Sequence, residues 1–223
     1  MFLQRIEATF KDYKGFCEVV YQRPYELITL RSTLLMGLIC GMFYGLIMGF
    51  YNSPLQALVS AIKVPMLFYA TLGICITLLH FIGILFGSKL KFIQTTSVLV
   101  YGISVSMILL TAFAPISLFF RLTPSSYKFI LLMHVTFFAI SGSVGLYYIK
   151  RNFNILKKLA QETDELAERQ SNAILSIWIV LYIFVGTQMA YILSPFVGSE
   201  KTFMLFNGSN HNFYSYLFEY LLK

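Results

Sequence analysis

The stretch MGLICGMFYGLIMGF, Met36 to Phe50, carries glycine at every fourth position: Gly37, Gly41, Gly45 and Gly49. On an α-helix such residues drift only slowly around the axis and leave one nearly bare stripe, along which a second backbone can come close. In lipid, hydrocarbon tails are as apolar as the side chains, so tight van der Waals contact at small residues replaces the hydrophobic drive that operates in water. This glycine-zipper pattern is a packing device and predicts that Gly41 and Gly45 face another helix inside a bilayer. The sequence leaves open whether that helix belongs to the same chain or to a neighbour.

Of 223 residues, 57% are hydrophobic and 12% charged, too few charges to cover a soluble globule. Crossing roughly 30 Å of hydrocarbon takes about twenty apolar residues. Runs of that length occupy 30–50, 64–86, 96–120, 129–149 and 173–194. None alternates with the two-residue period of a barrel strand, and an open sheet would leave backbone groups unpaired in lipid. The expected fold is all-α: a polytopic membrane helix bundle of about five transmembrane helices, with amphipathic interfacial helices at both ends. Residues 1–26 form a cytoplasmic amphipathic segment, 27–196 the membrane domain with a helical hairpin over 150–172, and 197–223 an extracytoplasmic aromatic tail.

Basic residues set the orientation. Arg5, Lys11, Lys14, Arg23, Arg31, Lys89, Lys91, Lys150, Arg151, Lys157, Lys158 and Arg169 fall on one side, and Lys63, Arg121, Lys128, Lys201 and Lys223 on the other. Twelve against five predicts an inside amino terminus and an outside carboxyl terminus. The charged, amphipathic start and the long first apolar run are unlike a cleaved leader. The net charge of +7 gathers at span ends, where it suits anionic lipid headgroups, so nucleic acid is rejected as a partner.

Before the first span, Ile6, Phe10, Tyr13, Cys17 and Val20 recur at helical spacing and predict an interfacial helix closed by Pro24. Its alternative role is docking a partner. Leu55, Leu58, Val59 and Ile62 suggest a separate short helix ending at Pro65. In the hairpin, Lys158 with Glu162 and Glu165 with Arg169 are spaced as helical ion pairs, which predicts a solvated face. In the tail, Phe213, Tyr216, Leu217, Tyr220 and Leu221 make one apolar face that Asn212 can cap, and Asn207, Gly208 and Ser209 form a glycosylation sequon.

Charged residues are nearly absent from the span interiors, which argues against an ion-coupled carrier. The intramembrane polar candidates are His80, His134 and Gln188. His80 is expected about 10 Å from the inner end of its span and His134 about 10 Å from the outer end of its own, at 1.5 Å per residue. That separation excludes a shared haem or zinc, so no cofactor or metal site is assigned and each side chain is read as a hydrogen-bonding tie between helices. Cys17, Cys40 and Cys75 lack metal-site spacing, and no nucleophile elbow, phosphate loop or HExxH is present, so no catalytic residue is assigned. Tyr101, Gly102, Pro115, Ser141, Gly142, Ser143 and Gly145 read as packing and kink positions, and Gly83 with Gly87 repeats the four-residue glycine spacing.

The arrangement resembles the Yip1-type membrane proteins in its inside amino terminus, five closely spaced spans, short loops and the Tyr101–Gly102 step in the third span. The segment LVYGISVS lacks the nearby proline of that family, so no functional residue carries over. The segment FVGTQMAYILSPFVGS, Phe184 to Ser199, followed by NFYSYL, is similar to small bacterial membrane proteins sometimes labelled as WH2 proteins; Leu156, Lys157, Lys158 and Leu159 look like that actin-binding core. These resemblances imply a bacterial inner-membrane protein. The expected function is a noncatalytic structural or accessory subunit, in contact with membrane lipids and with other membrane subunits or copies of itself. The alternative is a channel or permease-like component for a small solute, ion or lipid.

Overall fold

The computed structural model describes residues 12–22, 27–85, 88, 90–123, 126–160 and 165–197, apart from the side chains of 27 and 165–171. They form six helices: α1 (Tyr13–Gln22), α2 (Leu27–Gly49), α3 (Pro54–Leu85), α4 (Phe92–Leu122), α5 (Tyr127–Leu159) and α6 (Glu165–Leu193). The last five are long and apolar enough to cross a membrane, and the chain is a multi-pass membrane protein. A helix pairs its own backbone groups, which is why apolar runs take this form in lipid.

Chain order and spatial order differ. Helix α2 packs between α3 and α4, α6 lies outside α3, and α5 lies outside α4. Across the bundle the order is therefore α6, α3, α2, α4, α5. Although α5 and α6 are consecutive, they meet at most marginally. Helix α1 crosses one end of the bundle over α5 and α4.

All four glycines of the stripe are buried. A methyl group built on Gly45 would fall 2.8 Å from Ala61 Cα and nearer still to the Ser60 carbonyl oxygen, and one on Gly49 would fall 2.8 Å from Ala57 Cα. Gly37 meets Ser104, with Cα at 3.1 Å from such a methyl, and Gly41 meets Pro65 Cβ at 3.4 Å and Met107 Sδ at 2.8 Å. The stripe is thus used within the chain: its later half admits the α3 backbone, and its earlier half admits α4 and the α3 proline ring.

This contact also explains a difference from expectation. Residues 55–62 are not a separate interfacial helix; α3 runs unbroken through Pro65. Proline removes one backbone donor and crowds the preceding turn, which in a helix interior costs about 3 kcal/mol. Membrane bundles tolerate it where a neighbour accommodates the altered backbone. Here Gly41 leaves room for the Pro65 ring and Gly45 for the turn before it.

Helix α5 continues to Leu159 with Lys158 exposed, while Asn152, Phe153, Leu156 and Lys157 are buried. Helix α1 covers this region, burying Phe16, Cys17 and Val20. Phe16 stacks on Tyr101 with ring centroids 4.5 Å apart, and the Cys17 thiol lies 3.9 Å from the Asn152 carbonyl oxygen. The Gln94 amide donates to the Tyr21 carbonyl at 3.2 Å, satisfying an acceptor at the end of α1. The Arg151 guanidinium lies 3.9 Å from the Tyr13 ring centroid. Among the described residues the apolar side of α1 is therefore occupied by its own chain, and Leu156 and Lys157 of the WH2-like segment are buried. Burial, reinforced by Asp12 and Glu18, pushes the Cys17 thiol up to about 12, so it stays protonated and inert at neutral pH. Ile6, Phe10, both expected charge pairs and the aromatic tail lie outside the described residues.

Alanine substitution separates the two halves of the stripe. Gly45→Ala should lower stability by about 1–3 kcal/mol, because backbone atoms of α3 must move. Gly41→Ala, facing a flexible methionine end, should cost well under half as much, and Gly73→Ala, with nothing within 4 Å, should be neutral. Unfolding of the three variants in one detergent checks this order.

Candidate functional site

Because α5 and α6 barely touch, they leave a cleft of about 520 Å³ whose walls are these two helices and whose floor is built from α3, α4 and Met48 of α2. That volume falls within the roughly 300–1,000 Å³ of small-ligand sites. Small residues set its width. Ala139, Gly142 and Ser143 line it from α5, Gly186 and Ala190 from α6. A methyl on Gly142 would meet nothing within 4 Å, and one on Gly186 only Thr71 Cγ2 at 3.7 Å. Ser143 turns its hydroxyl to the Ala139 carbonyl at 2.7 Å, so it adds little polarity to the wall.

One end of the cleft is closed by the turn after α6. Ser194, Pro195, Phe196 and Val197 line it, with a cis peptide between Ser194 and Pro195. Three polar side chains one and two turns apart on α3 hold this turn. Gln56 Nε2 and Lys63 Nζ donate to the Pro195 carbonyl at 3.1 and 3.3 Å, and the Ser60 hydroxyl donates to the Phe196 carbonyl. All three are buried. Their spacing of four and three residues puts them on one helix face. That pattern is visible in the sequence, but Lys63 reads there as an ordinary flanking charge.

His134 lines the cleft, with its Nδ1 sharing a 2.7 Å hydrogen bond with the Tyr44 hydroxyl. Both side chains are buried, Tyr44 fully and His134 to 3% exposure. The bond joins α5 to α2, two helices that pack little otherwise, and the rings sit edge to face at 5.7 Å. His80 is elsewhere: it lies on the last turns of α3 with its ring 5.0 Å from Phe92 at the start of α4, whereas His134 lies near the start of α5. The two histidines occupy opposite ends of the bundle. Among the described residues no group of three or more His, Cys, Asp or Glu side chains could hold a metal.

Gln188 differs from its expected role. It is half-buried, it does not line the cleft, and among the described residues it makes no hydrogen bond to another helix. The reason is its position around α6. The face toward α3 carries Trp178, Tyr182 and Gly186 at four-residue steps, and Gln188 is turned about 200° from Gly186 at 100° per residue. The ties on this face are Trp178 Nε1 donating to the Cys75 carbonyl at 2.8 Å and Tyr182 to the Phe68 carbonyl at 3.4 Å.

The remaining glycines divide by surroundings. Gly145 and Gly102 pack together, a methyl on Gly145 falling 2.6 Å from the Gly102 carbonyl oxygen, and Ser141 is buried with its hydroxyl on the Phe137 carbonyl of the same helix. Among the described residues Gly83 meets no other helix and has Ser88 Cβ at 3.7 Å, and Gly87 lies outside the described residues. Four-residue glycine spacing produces close contact only where a helix lies opposite, and among the described residues none faces α3 at Gly83.

Comparison with protein-family models, with curated proteins and with solved structures gives no match for this chain.

Tyr44→Phe leaves the His134 nitrogen buried without its partner and should cost about 0.5–2 kcal/mol, the range for buried hydrogen bonds in water and lipid. A double-mutant cycle with His134→Leu should give a coupling of similar size. Coupling near zero would mean that the pair contributes no net tie.

Proposed function

We propose that the chain is a noncatalytic accessory subunit of an assembly in a bacterial cytoplasmic membrane, with its amino terminus inside. The observation that carries this reading is the use of polar side chains within the spans: they tie one helix of the bundle to another. Ser104 donates to the Thr33 carbonyl at 2.9 Å, Thr111 to the Cys40 carbonyl at 3.0 Å, Tyr69 to the Leu34 carbonyl at 3.2 Å, and Tyr44 bonds His134. Such groups lock a scaffold, whereas a reaction centre needs a nucleophile, a base and a charge-stabilising group turned to a common point. Helix α6 supports a place beside other subunits. Its apolar window is only 17% buried, the least of the five spans.

The twelve-to-five distribution of basic residues supports the orientation, and the likeness around Phe184 to Ser199 supports the bacterial setting. The second reading, a permease-like component for a lipid, is favoured by the cleft, whose walls suit an apolar substrate better than an ion.

Two measurements test the proposal. In the native membrane, gentle solubilisation should recover the chain with at least one different membrane protein in a fixed ratio; recovery as a lone chain would contradict it. An impermeant thiol reagent should reach a cysteine placed at Ser209 and miss one at Gln161, and the reverse pattern would overturn the orientation.

A further inference from the structure

We infer that α1 is a lid that exchanges between two places: docked on the end of the bundle over α5 and α4, as in the structure, and lying on the membrane surface beside it. This inference goes beyond the accessory role and holds whether or not the chain has protein partners.

Both places bury the same residues. Helix α1 has 10 residues, and a helix that short is marginal by itself in water. It buries Phe16, Cys17 and Val20 on one face and exposes Lys14 and Glu18 on the other. Only residues 23–26 separate it from α2, a membrane span, so α1 stays within about 18 Å of the start of that span wherever it lies. An amphipathic helix at a lipid surface sinks its apolar face into the boundary between headgroups and acyl chains. The hydrophobic gain of docking is therefore largely matched on the surface, and the balance falls to polar and ring contacts.

Three contacts favour the docked place: the Phe16 stack on Tyr101, the Gln94 amide on the Tyr21 carbonyl, and the Arg151 guanidinium over the Tyr13 ring. Asn152 opposes them. Its backbone carbonyl oxygen lies 3.9 Å from the Cys17 thiol, so it sits at the α1 contact, and its side chain is fully buried. Among the described residues neither the nitrogen nor the oxygen of its side-chain amide has a hydrogen-bond partner. Such an amide has two donors and an acceptor, and keeping it dry and unpaired costs as much as the three contacts supply. Lifting α1 lets water reach it. A short helix with a second home nearby, docked over an unpaired amide, is held lightly.

Cys17 reports the exchange, because its buried thiol is reached only when α1 lifts; Cys40 and Cys75, buried in the spans α2 and α3, report opening of the bundle itself. With the full chain in nanodiscs of dioleoyl phosphatidylcholine, N-ethylmaleimide should modify Cys17 while Cys40 and Cys75 stay protected. Asn152→Leu replaces the amide by an apolar side chain of similar size and should slow Cys17 modification about tenfold. Phe16→Ala changes only the lid, removes the stack on Tyr101, and should speed it about tenfold with the span cysteines still protected. Adding cholesterol, which packs the bilayer surface tightly against a helix wedge, should slow the wild-type rate several-fold. Protection of Cys17 equal to that of Cys40 and Cys75, or joint modification of all three, would overturn the lid. So would an unchanged or faster rate in Asn152→Leu, and equal rates with and without cholesterol would overturn the surface-bound place.

Discussion

At Gly45 and Gly49 the backbone of α2 lies against the backbone of α3, with only the small Ser60 hydroxyl beside the contact at Gly49. Ordinary helices pack with axes about 8–10 Å apart because side chains interdigitate. Removing the side chains from one helix over four turns permits a nearer approach, and dispersion then acts between many atoms at once. Much of the remaining architecture follows. Drawing α3 and α4 onto opposite parts of one stripe makes α2 the centre of the bundle, and the long helices α5 and α6 are left on opposite flanks. The cleft is the gap between those flanks.

Polar chemistry inside the bundle serves this geometry. Threonine, serine, tyrosine and tryptophan side chains donate to carbonyl oxygens of neighbouring helices whose lone pairs the helical bond leaves partly free. Gln56, Ser60 and Lys63 do the same for the turn at Pro195 and Phe196, which has no helix of its own to satisfy its carbonyls. Lys63 in particular is buried while it donates to the Pro195 carbonyl. Its ammonium fixes the end of α6 against α3 at the closed end of the cleft.

Helix existence was legible because a span is declared by its length and apolarity alone, properties local to the sequence. The glycine stripe was legible for the same reason. Its partner was not, since a bare face states only that something comes close. Pro65 misled because its cost is local while its accommodation, by Gly41 and Gly45, comes from another helix. Gly83 misled in the opposite sense, having the spacing without an opposing backbone among the described residues. Ser141, Gly142 and Gly145 read alike in sequence, yet Gly145 is closed against Gly102 and Gly142 faces the open cleft. Only the arrangement of α5 and α6 distinguishes them. Tyr44 escaped attention within the stripe although it supplies the partner of His134.

The central claim, that α2 meets α3 backbone to backbone within one chain, can be measured directly by solid-state NMR in lipid bilayers. With glycine and alanine isotopically labelled, the contact predicts a cross-peak between Gly45 Hα and Ala61 Cα. Its intensity per labelled chain should remain unchanged when labelled protein is diluted into unlabelled protein, because both nuclei lie on the same molecule. Absence of the peak, or its loss on dilution, would contradict the account.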